Sequence, residues 1–372
     1  MRLGTCIALE IVTGLVALGA ASLGTAYAVG KLEPQPSASR AAVSAVPLPA
    51  ASPVPVPAPV PAPDREPAPP TPPSTSKGPG ISWTFAGQPD EPLLAPLRTG
   101  TLTRVKFNRG GTSLSLRLEF DNGARAAFKP EQTHLHSNPR REIAAYRLDR
   151  LLGIGRVPPA IGRSFTLAEI IAAVDKSQRH ATPRLHDEMI SRRGQVKGEM
   201  SWWIPVLGDM YIGKQRIDAT DAIVQWRRWL KVGAVIPEDR RALCEQLSAM
   251  TLFDFLIDNT DRWTGNNARA SDDGTVLYFM DNTQAFSRNR RGHNKGHIYL
   301  GRVQTFSRGL VARLRGLRIE EVREVMVHDV EPFDQILTEA EIEAVMSRRD
   351  VLLEYVDGLI AKHGENKVLV FP

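Results

Sequence analysis

The stretch that most limits the fold of this chain is residues 31–80, where proline, alanine, serine and valine dominate. It includes PLPAASPVPVPAPVPAPDREPAPPTPPSTS and shows no hydrophobic periodicity. Such a stretch buries too little side-chain surface to offset the entropy that is lost on ordering. We predict a disordered, polyproline-like linker over residues 31–80, which confines the folded domain to residues 81–372.

The first 30 residues contain an uncharged run from Ile11 to Gly30. This is about the ~20 residues that a helix needs to cross a bilayer. The triplet Ala26-Tyr27-Ala28 is typical of a signal-peptide cleavage site, whereas Glu10 and the length of the run favour an uncleaved anchor. We predict a single-pass membrane helix in residues 11–30, with export after signal cleavage as the alternative. The charges that flank the run set its orientation weakly, and we expect an extracytoplasmic domain.

The composition of the domain excludes one means of stabilisation and suggests a class of partner. Of the two cysteines, only Cys244 lies within residues 81–372, so no disulfide forms inside the domain. The formal net charge of the chain is +6, which suggests an anionic partner without identifying it. No aromatic interleaving or known motif accompanies the basic residues, so we expect no nucleic-acid site.

The hydrophobic pattern changes along the domain from a period of two to a helical period. Apolar residues alternate on both sides of Asn122-Gly123, which predicts an antiparallel hairpin. Residues 140–152 then show a helical apolar stripe. Further helices are predicted over residues 217–231, 237–258, 307–327 and 338–363. The fold class is therefore α+β, with a strand-rich lobe over about residues 95–210, a helical lobe over about 211–372 and a cleft between them.

Five polar side chains stand at the ends of these predicted elements: Lys129, Glu142, Asp261, Asn266 and Asp281. Phosphoryl transfer requires such a set. Mg or Mn binds to oxygen ligands, usually a carboxylate with a carboxamide. Nucleotide phosphates need a cation that a carboxylate holds in place. The attacking hydroxyl needs a carboxylate that receives its proton.

The spacing of Asp261 and Asn266 matches the D-x-x-x-x-N catalytic loop of protein kinases, in which the Asp is the base and the Asn binds metal. Asp281 follows the apolar run VLYFM and takes the place of the second metal-binding residue. Either Asp258 and Asn267 orient this loop, or Asp258 caps its helix. We predict ATP with Mg or Mn as cofactors.

The stretches GGTSL, AAFKP, EIAAYRLDRLLGIGRVPPAIGR, TLFDFLIDNTDR and LYFMDNTQAFS resemble the secretory-pathway kinases. That family includes the Golgi casein kinase, the glycosaminoglycan xylosylkinase and the four-jointed kinase. The resemblance implies an atypical protein-kinase-like fold. It also implies that Lys129 contacts the nucleotide phosphates, that Glu142 pairs with Lys129, that Asp261 is catalytic and that Asp281 binds metal.

Two parts of the predicted site are less specific than this core. The turn of Gly110, Gly111 and Thr112 is predicted to cover the phosphates. Residues 282–319 contain no acidic residue and many basic ones, and they lie where kinases carry their activation segment. This basic segment is either an anion-binding rim that receives an acidic acceptor, or a solvated basic surface.

The motifs favour a membrane-tethered, metal-dependent kinase that transfers the γ-phosphate of ATP to a hydroxyl of a protein or glycan. Two alternatives remain at this stage. One is a kinase-like binding module without catalysis, because the resemblance indicates a distant, bacterial member of the family and extracytoplasmic space in bacteria lacks ready ATP. The other is a phosphoinositide or lipid kinase, which a basic segment and a membrane anchor would suit.

Overall fold

The computed structural model describes residues 81–108, 112–263 and 267–372. The predicted anchor and linker, residues 1–30 and 31–80, lie outside this part of the chain. Within it, no helix combines the length and the apolar character that a bilayer-spanning segment needs.

Strands dominate the first half of the described domain. The strands of the whole described domain are β1 Thr84–Phe85, β2 Gln88–Pro89, β3 Leu102–Phe107, β4 Leu116–Phe120, β5 Arg125–Pro130, β6 Ala160–Thr166, β7 Ser191–Arg192, β8 Gln195–Trp202, β9 Tyr211–Ile212, β10 Gln215–Arg216, β11 Arg269–Ala270 and β12 Leu277–Tyr278.

Helices dominate the second half, as the hydrophobic pattern predicts. The helices of the whole described domain are α1 Glu91–Thr99, α2 Arg140–Leu151, α3 Leu167–Ala173, α4 Thr182–Glu188, α5 Thr220–Trp229, α6 Arg241–Ile257, α7 Asn294–Leu300, α8 Arg308–Gly316, α9 Ile319–Val327, α10 Glu339–His363 and α11 Glu365–Val368. There are 3₁₀ turns at Lys176–Ala181 and Glu238–Arg240.

One antiparallel sheet forms the strand-rich lobe, in the order β3-β4-β5-β8-β6, with β7 also paired to β8. The β4–β5 connection is the hairpin predicted at Asn122-Gly123, and Gly123 takes the left-handed conformation (φ 82°) that such a turn favours. Strand β8 approaches β5 closely because residue 198 is glycine. A Cβ there would lie 2.3 Å from the Phe128 ring.

Helix α2 packs against the sheet, and buried charges fix its end. Arg150 is fully buried and donates to both carboxylate oxygens of Asp90, at 2.7 and 3.1 Å. The carboxylate of Asp149 accepts hydrogen bonds from the backbone amides of Gly155 and Val157, at 3.0 and 3.1 Å. These bonds fix the turn after α2 and so set the position of Glu142 near its beginning.

The helical lobe is built around α6, whose side chains are buried from Leu243 onward along most of its length. The predicted helix at 307–327 is two helices, because the backbone is extended at Leu317 and Arg318. The run VLYFM forms only the two-residue strand β12, and Asp281 directly after the run has a left-handed backbone.

Candidate active site

Lys129 and Glu142, which are 13 residues apart, meet at the junction of sheet and helix. Lys129 is near the end of β5 and Glu142 is near the start of α2. The Lys129 Nζ donates to Glu142 Oε1 at 2.6 Å, and the Glu142 side chain is 5% exposed. The pair therefore has the geometry that the family resemblance implies.

Asp281 joins this pair from the other side. Its Oδ1 accepts a hydrogen bond from Lys129 Nζ at 2.8 Å. Burial disfavours the charged ammonium, but the carboxylates of Asp281, Glu142 and Glu199 raise the pKa of Lys129 above its usual value. Lys129 in turn holds the pKa of Asp281 below its ordinary range.

Asp281 is also held in an unusual backbone conformation. Its φ of 63° is in the left-handed region that side chains other than glycine rarely adopt. Such strain is often found at functional sites, where surrounding contacts compensate for it. Here the Asp281 carbonyl accepts a hydrogen bond from Asn259 Nδ2 at 3.2 Å. The Asp281 side chain remains 41% exposed and open to the cleft.

Asn282 connects the two halves of the site, and the sequence analysis did not assign it a role. Its backbone amide donates to Glu142 Oε1 at 2.9 Å and its Nδ2 donates to Glu142 Oε2 at 3.1 Å. Its Oδ1 accepts from Asn259 Nδ2 at 3.1 Å and from Arg262 Nη2 at 2.8 Å. The only sequence signal for this role is its place next to Asp281.

Asp261 lies in the loop after α6, within the same network. Its backbone amide donates to Asn259 Oδ1 at 3.0 Å. Its Oδ2 accepts from Asn267 Nδ2 at 2.9 Å and from Gln284 Nε2 at 3.2 Å. Asn267 therefore orients the predicted catalytic carboxylate, as one sequence interpretation proposed.

The buried side chain of Arg262 holds the Asp261 loop in place. It is fully buried, and its guanidinium donates to Asp254 Oδ1 and Oδ2 at 3.1–3.2 Å. It also donates to the carbonyls of Met280 and Asn267. Burial raises the pKa of Asp254 to about 6, although Arg262 opposes this shift. Arg262 thus ties the Asp261 loop to the segment that carries Asp281.

Asp258 combines the two roles that the sequence left open. It ends α6 in a left-handed conformation (φ 58°). Its carboxylate accepts from the His293 backbone amide at 3.0 Å and contacts His293 Nδ1 at 2.6 Å. It also accepts from the Ser287 hydroxyl. Asp258 therefore connects Ser287 and His293 of the basic segment to the end of α6.

Several predicted residues are not part of this described cluster. Gly110, Gly111 and Asn266 lie outside the described residues. Thr112 is described and is exposed in a bend before β4. The roles predicted for these four residues remain predictions.

The residues present suit a hard divalent cation that binds together with a nucleotide. Within the described ranges, no group of three or more His, Cys, Asp or Glu side chains is arranged to hold a metal alone. Asp281 offers a partly exposed carboxylate of reduced pKa at the cleft. Mg²⁺ typically binds through one or two carboxylates plus substrate phosphates, so this donor chemistry fits.

Most arginines of the basic segment that form ion pairs do so with acidic residues from other helices. Arg290 pairs with Glu343, Arg315 with Asp357 and Arg308 with Glu365. Among the ion pairs of the described residues, none involves Arg288, Arg291 or Lys295. The surface available to an anion is therefore smaller than the composition suggests.

Comparison with known proteins places this architecture in a family. A family model described as Golgi casein kinase, C-terminal, Fam20 matches residues 88–187 and 231–368. The human extracellular serine/threonine protein kinase FAM20C is 24% identical in an alignment 331 positions long, which covers 75% of this chain and 56% of the human protein. The glycosaminoglycan xylosylkinase of Danio rerio is 24% identical in an alignment 317 positions long, which covers 75% of this chain and 77% of that protein.

Solved structures show the same fold. The Golgi casein kinase with Mn/ADP bound matches with a TM-score of 0.57 at 18% identity, over 75% of this chain and 78% of the other. Hydra Fam20 with sugar matches with a TM-score of 0.55 at 20% identity, over 74% and 90%. The predicted two-lobed, kinase-like α+β fold is confirmed. Because the family model covers more than half of the chain, this protein belongs to the Fam20 family of Golgi casein kinases.

Proposed function

We propose that this protein is a metal-dependent kinase that transfers the γ-phosphate of ATP to a hydroxyl group of a protein or glycan. The observation that carries the proposal is the position of Lys129 between Glu142 and Asp281, with Nζ–O distances of 2.6 and 2.8 Å. Asn282 and Asn259 link this cluster to the Asp261 loop. The names of the relatives, a serine/threonine protein kinase and a glycosaminoglycan xylosylkinase, support the two acceptor classes.

Each side chain has a defined task in this mechanism. Lys129, oriented by Glu142, binds the α- and β-phosphates. Asp281 and Asn266 would hold Mg or Mn, which supplies charge neutralisation for the phosphates. Asp261 accepts the proton of the acceptor hydroxyl. At the same time the hydroxyl oxygen bonds to the γ-phosphorus, and the bond between this phosphorus and the ADP oxygen breaks. The turn at Gly110, Gly111 and Thr112 covers the phosphates.

We also propose that the acceptor is acidic, and the basic segment supports this. Arg288 and Arg291 are exposed, and Asp258 fastens both ends of the stretch that carries them, at Ser287 and His293. An anionic protein or glycan held there would lie beside the catalytic loop. The same chemistry would suit an anionic lipid, which extraction of phosphorylated lipid would identify.

The arrangement of the whole chain is also part of the proposal. Residues 11–30 would anchor the protein in a membrane, residues 31–80 would act as a spacer, and residues 81–372 would form the extracytoplasmic kinase domain. The word extracellular in the name of the human relative supports that location for the domain. Protease protection of the domain in intact cells or vesicles would test its side of the membrane.

The first experiment measures nucleotide binding and turnover by the purified full chain with Mg²⁺ or Mn²⁺, beside Asp281→Asn. Metal-dependent ATP binding and ADP release, both lost in the variant, are the expected result. Asp272→Asn is a matched control, because Asp272 is exposed and no side-chain hydrogen bond or ion pair of it is described. Folded protein that binds no nucleotide would overturn the proposal. Binding without turnover would favour the kinase-like binding module without catalysis. A human relative, 24% identical over 315 residues, is named pseudokinase FAM20A.

A further inference from the structure

A third carboxyl group, Glu199, lies beneath the Lys129 cluster and has no part in the mechanism above. Glu199 is on β8, directly opposite Lys129 of β5 in the antiparallel register. It is 1% exposed. Residues paired in this way have Cβ atoms about 4.5–5.5 Å apart and side chains on the same face of the sheet. Glu199 therefore approaches Lys129 from the side of the sheet.

A buried carboxyl group is costly unless it has partners. Among the hydrogen bonds of the described residues, the Glu199 carboxyl has one, which it accepts from the Ser201 hydroxyl. Burial, and then repulsion from Glu142, raise the pKa of Glu199, whereas Lys129 lowers it. Ser201 alone does not account for a glutamate in this position, because a smaller polar residue would satisfy the same hydroxyl.

The donors of Lys129 offer a reason for the glutamate. A lysine ammonium has three N–H donors. In this structure two of them have carboxylate acceptors, on Glu142 and Asp281. If Asp281 binds metal, as the proposed function requires, Lys129 loses one of these partners at the moment when it must stay aligned with the phosphates.

We propose that Glu199 is a positioning residue that acts through Lys129, holding the ammonium group from the sheet side while Asp281 engages the metal–nucleotide complex. This inference rests on the proposed kinase function. Lys129 would then keep Glu142 on α2 and gain Glu199 on β8, with which no hydrogen bond or ion pair is described in this structure. Neither partner depends on the metal.

The test is a double-mutant cycle on ADP–Mn²⁺ affinity, measured by calorimetry with the full chain. Glu199→Gln preserves the shape of the side chain and removes its charge. We expect it to weaken binding about tenfold, the usual effect of losing a hydrogen bond to a charged group. In a Lys129→Met background the same change should have no further effect, because the two residues act as one unit.

Glu131→Gln is the matched control. It makes the same change one residue beyond the end of β5, where no side-chain hydrogen bond or ion pair is described. It should bind like the wild type. Equal affinity of wild type and Glu199→Gln would overturn the inference, as would an equal loss in both backgrounds, which would show a structural role independent of Lys129.

A second readout separates failure of this inference from failure of the proposed function. The NMR signal of the Lys129 side-chain ammonium, recorded at a single pH without nucleotide, should shift in Glu199→Gln and stay unchanged in Glu131→Gln. If the wild type binds no nucleotide but this shift occurs, the kinase proposal fails and the Lys129–Glu199 coupling stands. If nucleotide binds and no shift occurs, only the coupling fails.

Discussion

The Lys129 cluster and the basic segment hold their charges in different ways. In the cluster, Lys129 is 16% exposed and lies between two carboxylates within 2.8 Å. In the basic segment, Arg315 and its partner Asp357 are 44% and 56% exposed. A buried charge without its partner is costly, whereas an exposed one is solvated by water. The comparison teaches that burial, more than the number of charges, decides which of these residues the protein depends on.

The two regions also differ in how the chain supplies their partners. The cluster draws its charges from short motifs at the ends of β5 and α2 and beyond β12. The basic segment contains no acid, and the carboxylates that pair with Arg290, Arg308 and Arg315 come from α10 and α11. Composition alone therefore overstated the anion-binding surface, because it does not show which helices pack against the segment.

The sharpest test of the cluster is Asp261→Asn, which we expect to have the largest effect. It retains the side-chain shape and can still accept a hydrogen bond, but it cannot receive the proton of the acceptor hydroxyl. Loss of a general base lowers turnover by roughly 10²–10⁴-fold. ATP affinity should stay close to that of the wild type, since Lys129 and Asp281 are intact.

Steady-state ADP release with an acceptor and calorimetric ATP binding measure the two quantities separately. Asp272→Asn is the control, because it makes the same substitution at an exposed position. Unchanged turnover in Asp261→Asn would show that another group accepts the proton.

Local sequence was sufficient to predict much of the cluster but not its connections. Lys129, Glu142 and Asp281 could be predicted because each lies at or just beyond the end of an element whose pattern is visible in the sequence. Asn282 was missed because its contacts with Glu142 span 140 residues and depend on the left-handed backbone at Asp281. Glu199 was missed for a similar reason: its position opposite Lys129 follows from the pairing of β5 with β8.

Helix and strand lengths show the same limit. The apolar pattern over 307–327 is continuous in the sequence, yet the helix breaks where Leu317 is buried with an extended backbone. The run VLYFM has the composition of a longer strand, but only Leu277–Tyr278 pairs with a neighbour. In both places tertiary packing overrides local propensity.

The buried pair of Asp254 and Arg262 offers an intermediate test, through pH. Burial raises the pKa of Asp254 from 3.8 to about 6. The folded protein therefore binds a proton there that the unfolded chain lacks between those pH values. The stability that this group contributes is complete below the lower value and declines as pH rises through the upper one.

Asp254→Asn removes this decline because asparagine stays neutral. The difference between the free energies of unfolding, wild type minus variant, should fall by about 3 kcal/mol between pH 4 and pH 7, at ~1.4 kcal/mol per pKa unit. Urea denaturation at several pH values measures it, with Asp272→Asn as the control for the same substitution at an exposed position. A difference that grows with pH would show that Arg262 keeps the pKa of Asp254 low.

The smallest expected effect is in the basic segment, at Arg315 and Asp357. Both side chains are about half exposed, so water and salt screen their attraction. A double-mutant cycle with Arg315→Ala and Asp357→Ala should give a coupling of roughly 0.2–1 kcal/mol by urea denaturation, and less in 1 M salt. Turnover should be unchanged, because neither residue contacts the cluster. A coupling of several kcal/mol that salt does not reduce would contradict the distinction between the two regions, since it would show that exposed pairs also fix the position of the basic segment.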